Sequence, residues 1–205
     1  MLSNLFGKKI RKVDYHNTNK SETHNFTNMQ DQITWLTDNG WVNGNTFNKS
    51  NKNILIMDDR QDIISAVIDD LERMDETEII NLNHFNLITV SSKNAGFHVL
   101  DILEKAPNIT IDYALLDIVL GGKKIVDGVK QMVDGVDVAI QIWERFSTAQ
   151  ILFFSGCIIE NSNDRDDFKN RFTSYTQEDI SDYLLPKDID FDSEIDQLAT
   201  FFNGF

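Results

Sequence analysis

The chain has 205 residues, 41% of them hydrophobic, which suits one large domain, or one and a half small ones, with a real core and excludes a wholly disordered chain. Lys and Arg total 19 against 33 Asp and Glu, a formal charge of −14 that repels phosphate backbones and argues against nucleic-acid binding by the bulk surface. The single cysteine, Cys157, excludes an internal disulfide framework and a cysteine-built zinc site, and no apolar run approaches the roughly 18 residues of a membrane span. At the start, MLSNLFGKKIRK has its apolar residues first and its basic ones after, the reverse of a signal peptide, so the expected location is the cytoplasm.

Composition changes near residue 53, which divides the chain into an N-terminal extension and linker (1–52) and a domain (53–205). The extension is rich in Asn, Thr and Lys. Within it, MQDQITWLTDNGW (29–41) is expected to form a short helix stopped at Asn39-Gly40, and 42–53 reads as a linker. From residue 53, strand and helix patterns alternate. NILIMDD (53–59) is an apolar run ending in carboxylates, the pattern of a strand buried on both faces. QDIISAVIDDLERM (61–74) spaces Ile64, Val67, Leu71 and Met74 helically, with Asp62 expected to cap it. FNLITVSS (85–92) is a short strand, and GFHVLDILEKA (96–106) a helix closed by Pro107. IDYALLDIVL (111–120) is another buried strand, GVDVAIQIWERF (135–146) a helix, and AQILFFSG (149–156) a strand ending in Ser-Gly. The polar segment 160–179 is expected to hold a weak helix around DDFKNRF, better suited to docking or disorder than to a tight core. SDYLLPK (181–187) is a fifth strand, and DSEIDQLATFF (192–202) a final helix. Five strands interleaved with helices predict an α/β fold with a doubly wound, five-stranded parallel sheet of the flavodoxin-like kind.

In such sheets ligands bind beyond the carboxyl ends of the strands. Asp58, Asp59, Asp117, Ser155 and Lys187 lie at or near those ends, so separate stretches of chain converge on one edge. Three carboxylates there repel one another. A hard divalent cation removes that cost, and Mg²⁺ favours a few carboxylates plus waters and phosphate oxygens. A carboxylate is also a nucleophile able to form an acyl phosphate, given charge neutralisation on the phosphoryl oxygens. The cation supplies part of that neutralisation, Lys187 is positioned to supply more, and Ser155 offers a hydroxyl donor. Each feature alone has a plainer reading as a cap, turn or solvated loop, but the ordered set on successive strands is far more specific. Elsewhere, DIDFDSEID (188–196) lacks the turn glycine of a calcium loop and reads as an acidic helix start. His16, His24, His84 and His98 show no metal spacing.

The motifs ILIMDD, YALLDIVL followed by DGVDVAIQI, ILFFSG and YLLPKD resemble the receiver domain of two-component response regulators, over about three quarters of the chain, residues 53–202. The resemblance implies that Asp117 accepts a phosphoryl group from a phosphohistidine on a histidine kinase or phosphotransfer protein. It also implies that Asp59, Asp117 and the backbone carbonyl of Val119 ligate Mg²⁺, that Asp58 orients a metal-bound water, and that Ser155 and Lys187 engage the phosphoryl oxygens. The chain departs from the family pattern in three places. Its Asp-Gly occurs twice, in VDGV at 126–129 and at 133–136; the second fits the helix better, which predicts an insertion within 121–133. Pro186 precedes Lys187 where the family has proline after the lysine. The usual aromatic switch position holds Leu184, with Tyr183 one residue earlier.

The leading expectation is therefore a stand-alone receiver, not an enzyme, with no room after residue 202 for an output domain. Its output would be a contact with an unknown downstream protein, and a homodimer is among the assemblies it allows. One rival is a pseudo-receiver that binds partners without phosphotransfer. The other is a Mg²⁺-dependent phosphohydrolase, weakened because Ile118 and Val119 follow Asp117 where a general acid would be needed.

Overall fold

The computed structural model describes residues 48, 50–90, 100, 110–118, 120, 122–126, 129–133, 135–155, 163–186 and 191–203. The helix expected at 29–41 lies outside them, as does the one at 96–106 except for Leu100, which is helical and buried. In chain order the elements are β1 (Lys52–Met57), α1 (Gln61–Glu76), β2 (Phe85–Val90), β3 (Tyr113–Leu116), β4 (Gly122–Val126), β5 (Val129–Val133), α2 (Gly135–Arg145), β6 (Gln150–Ser155), α3 (Asn163–Thr176), β7 (Leu184–Pro186) and α4 (Phe191–Asn203). Short 3-10 turns, Leu82–His84 and Ile180–Tyr183, lead into β2 and β7.

Five strands form one parallel sheet in the order β2-β1-β3-β6-β7. This is the flavodoxin-like doubly wound order, in which the chain starts in the middle and winds outward both ways. Alternate residues of each strand enter different cores. On one face Leu55, Met57, Ile88, Val90, Ala114, Leu116, Ile151 and Phe153 meet α2 through Val136, Ala139 and Ile142, and α3 through Phe172. On the other, Ile54, Ile56, Leu87, Leu115, Leu152, Phe154 and Leu185 meet α1 through Ile64, Val67, Leu71 and Met74, and α4 through Ile195, Leu198, Phe201 and Phe202. Burial on both faces explains why the inner strands read as unbroken apolar runs rather than alternating ones. Pro186, which has no N–H for a further ladder bond, lies in the edge strand.

Three local readings change. Asp62 is not the cap of α1: Arg60 occupies the N-cap with no side-chain cap bond, and Asp62 pairs with Arg60 from the first helical turn. The end of the expected linker is docked. Asn48 N–H donates to Asn86 Oδ1 (3.0 Å), and Asn86 Nδ2 donates to the Asn48 carbonyl (2.8 Å) and to Asn53 Oδ1 (2.8 Å). Asparagine amides reproduce the donor–acceptor pattern of backbone, so Asn48, in a stretch composed like a linker, is bound to β2 through Asn86. Finally, the polar segment forms a full helix, α3, tied to the core by the fully buried Phe172. Ion pairs Arg171–Asp137 (2.9 Å) and Lys169–Asp179 (3.2 Å) flank that anchor.

The insertion is an antiparallel hairpin. β4 and β5 pair in register from Gly122↔Val133 to Val126↔Val129, making a separate two-stranded sheet between β3 and α2. The first Asp-Gly, 127–128, lies outside the described residues, between β4 and β5 in the chain, and the glycine of the second, Gly135, opens α2.

Candidate metal centre

The winding order reverses between β1 and β3, so their carboxyl ends bound the crevice where ligands of such sheets bind. Asp58 and Asp59 directly follow β1, and Asp117 directly follows β3. The ladder continues one step past the strands: Asp117 N–H donates to the Met57 carbonyl (2.8 Å), and Asp58 N–H to the Val90 carbonyl (3.3 Å). These bonds carry the acids of two remote stretches side by side. One carboxylate oxygen from each of Asp58, Asp59 and Asp117 lies within 4.8 Å of the others. Asp58 (3% exposed) and Asp117 (6%) are walled in by the sheet, whereas Asp59 is open to solvent. The cluster is thus closed at its base and accessible at its rim.

Two further contacts shape it. Asp58 Oδ1 accepts the Arg60 backbone N–H (2.8 Å), a turn of the kind aspartate makes two residues on, which fixes that carboxylate. The Arg60 guanidinium engages Asp62 through both its Nε (3.3 Å) and Nη2 (2.5 Å). That bond holds the Asp62 carboxyl below the usual carboxylate range and pushes the Arg60 guanidinium above its ordinary value. A cation beside the acids is therefore engaged at the mouth by a fourth acid.

Gly135 completes the frame. Its N–H donates to the Ile118 carbonyl (2.9 Å), and a Cβ at this position would run into the Asp117 carbonyl oxygen, far inside van der Waals contact. The start of α2 is therefore pressed directly against the backbone of the acceptor candidate. The sequence signal for this contact was the second Asp-Gly; the close approach itself has no signature, because it depends on where the hairpin returns.

Of the residues singled out from the sequence, Asp58, Asp59 and Asp117 come together. Ser155 is the last residue of β6, next to β3, and pairs with Pro186 at the end of β7, which places it at the same sheet edge. Val119 and Lys187 lie outside the described residues. Tyr183 belongs to a different neighbourhood. Its ring packs edge-on against Trp143 (centroids 6.2 Å apart) and Phe172 (5.0 Å), and its hydroxyl donates to Glu178.

Three hard carboxylate oxygens with an open side fit a divalent cation that keeps waters and phosphate oxygens in its shell; soft or nitrogen donors, which would suit zinc or copper, are lacking among the described residues at this edge. No helix among the described residues is long and apolar enough to cross a membrane.

No family model matches the chain, and no curated protein matches it. Solved structures do. The signal receiver domain of a DNA-binding response regulator (merR) from Colwellia psychrerythraea 34H aligns at 15% identity over 75% of this chain and 100% of that one, with a TM-score of 0.47. A response regulator from Thermotoga maritima aligns at 14% over 75% and 99%, with a TM-score of 0.46. A response regulator receiver domain protein from Clostridium thermocellum aligns at 16% over 74% and 94%, with a TM-score of 0.47.

Proposed function

We propose that the chain is a receiver-type phosphoacceptor in which Asp117 takes a phosphoryl group from the phosphohistidine of a histidine kinase or phosphotransfer protein. The observation that carries this reading is the meeting of Asp58, Asp59 and Asp117 at the switch point of the sheet, within 4.8 Å of one another. The donor set fits Mg²⁺, which Asp59, Asp117 and the Val119 carbonyl would hold, with Asp58 in reach to orient a water of the ion. When bound, that ion supplies neutralisation of charge on the phosphoryl oxygens.

The chain's own residues do the rest. An Asp117 carboxylate oxygen forms the new bond to phosphorus as the phosphorus–nitrogen bond to the donor imidazole breaks. The imidazole leaves with the electron pair and takes up a proton, and the product is an aspartyl phosphate. The walls of the sheet hold Asp117 in one orientation while the open rim at Asp59 admits the donor. Ser155 is assigned as the hydroxyl donor to a phosphoryl oxygen, and Lys187 as the cation that pairs with another. Each turnover is consumed by modification of Asp117 itself, so the chain is a signalling module, with the cytoplasm as its compartment. The phosphoryl group brings about −1.5 to −2 charges, and contacts that differ between the two states carry the signal to a protein partner.

Incubating the protein with a small phosphodonor and Mg²⁺ and measuring intact mass tests this. The wild type and an Asp69→Asn control gain one phosphoryl group, and Asp117→Asn does not. Equal labelling of the Asp117→Asn variant overturns the assignment.

A further inference from the structure

The hairpin inserted between β3 and α2 is a two-stranded sheet of its own, and among the described residues no third strand pairs with it. A lone hairpin is marginally stable in water, and an unpaired strand edge is a template for another strand. We propose that the outer edge of β5 pairs with β5 of a second copy of this chain, joining two hairpins into a four-stranded antiparallel sheet.

The register shows why this edge is self-complementary. β4 and β5 are joined by two residues, so the closing pair Val126↔Val129 is the hydrogen-bonded kind. Pair types then alternate, and Lys124↔Gln131 is again hydrogen-bonded. Gln131 therefore directs its backbone groups inward to β4, while Lys130 and Met132 present their N–H and C=O groups to the outer edge. A two-fold axis at Gln131 sets Lys130 opposite Met132 of the copy, and Met132 opposite Lys130, each pair exchanging two backbone hydrogen bonds. Val129 falls opposite Val133, and Gln131 meets its own image. No lysine faces a lysine. The matching two-fold on the outer edge of β4 is centred on Lys124 and sets like charges directly opposite, which is destabilising. A C2 dimer requires one patch that complements itself, and the β5 edge meets that requirement.

Charge identifies the mode of association. The hairpin holds Lys123, Lys124 and Lys130 in a chain of formal charge −14. Were the basic arm simply to lie on the acidic body of another copy, salt would weaken the complex. Edge pairing brings like-charged arms and like-charged bodies together, so salt strengthens it.

Sedimentation of the full chain over a concentration series, at low and high salt, tests the proposal. The sedimenting mass doubles with concentration, and at lower concentration in high salt. Lys130→Pro removes an outward N–H without touching the β4–β5 bonds; at a concentration where the wild type is monomeric it keeps the wild-type thermal transition, and it stays monomeric across the series. In a Cys157→Ser background, Gln131→Cys cross-links on mild oxidation about tenfold or more faster than Lys124→Cys, because only the former meets its own image. A wild type that is monomeric throughout, a dimer that salt dissolves, or equal cross-linking at both positions overturns it. None of these readouts depends on phosphoryl transfer.

Discussion

Gly135 shows how a single missing side chain sets the site. Its Cα faces the Asp117 carbonyl at a distance no Cβ tolerates, and the neighbour is backbone, which has no rotamer to yield. Gly135→Ala therefore displaces either α2 or the end of β3. We expect a loss of about 1–3 kcal/mol in denaturant unfolding. Phosphoryl labelling of Asp117 should fall more steeply than the change in folded fraction, since the displaced atoms belong to the proposed acceptor itself. Unchanged labelling in a fully folded variant would show that the contact is only structural.

Asp179, at the N-cap of the 3-10 turn Ile180–Tyr183, makes the second prediction at this scale. It accepts the Ser181 N–H (3.0 Å) and hydroxyl (2.7 Å) and pairs with Lys169. The Ser181 backbone bond, then its hydroxyl and then Lys169 lower the carboxyl to about 2. The folded value lies below the ordinary aspartate value near 3.9, so the contribution is present above about pH 4 and is lost as pH falls toward about 2. An NMR titration of the Asp179 carboxyl carbon should show this low midpoint, rising part-way in Ser181→Ala. A midpoint that does not move in that variant would remove the hydroxyl from the account.

Among the elements, α3 is the one whose sequence says least. NDRDDFKNRFTSYT has few apolar residues, and its helical face has no clear stripe. It folds onto the sheet because Phe172 enters a pocket walled by the rings of Phe153 (centroids 5.8 Å apart), Trp143 (5.8 Å) and Tyr183 (5.0 Å). Trp143 in turn stacks on Tyr175 with their planes 10° apart. One deep anchor replaces the distributed stripe that periodicity detects. Phe172→Ala should cost about 3–5 kcal/mol in unfolding free energy. Removal of the partly exposed Arg171–Asp137 pair, read by a double-mutant cycle, should couple by no more than about 1 kcal/mol. If the two losses were equal, α3 would be held by charge rather than by its aromatic anchor.

The inner strands lie at the opposite extreme of legibility. ILIM and YALL are short and largely apolar, and they are buried on both faces, so their type and the acids that follow them could be read directly. The hairpin could be read only as extra length. Its VDGV resembles the helix-opening VDGV seven residues on, and local sequence does not separate a turn glycine from a helix-start glycine. What marks the second is tertiary: Gly135 must pass the Asp117 carbonyl. The Asn48–Asn86 contact was equally hidden, because asparagine composition signals a loop whether or not its amides find partners.

For the molecule as a whole, the sheet organises everything else. Two cores, one on each face, fix the strand order; the strand order fixes the switch point; and the switch point gathers Asp58, Asp59 and Asp117. The hairpin follows β3 in the chain and leads to Gly135, so the proposed association through β5 would be rooted beside the proposed acceptor. A crystal of the full chain grown with Mn²⁺ and beryllium trifluoride, a phosphoryl mimic, locates both cation and acceptor at once. We predict anomalous density for Mn²⁺ between Asp58, Asp59 and Asp117, with the beryllium of the mimic bonded to an Asp117 carboxylate oxygen. Metal density elsewhere, or the mimic on any other residue, would contradict the assignment.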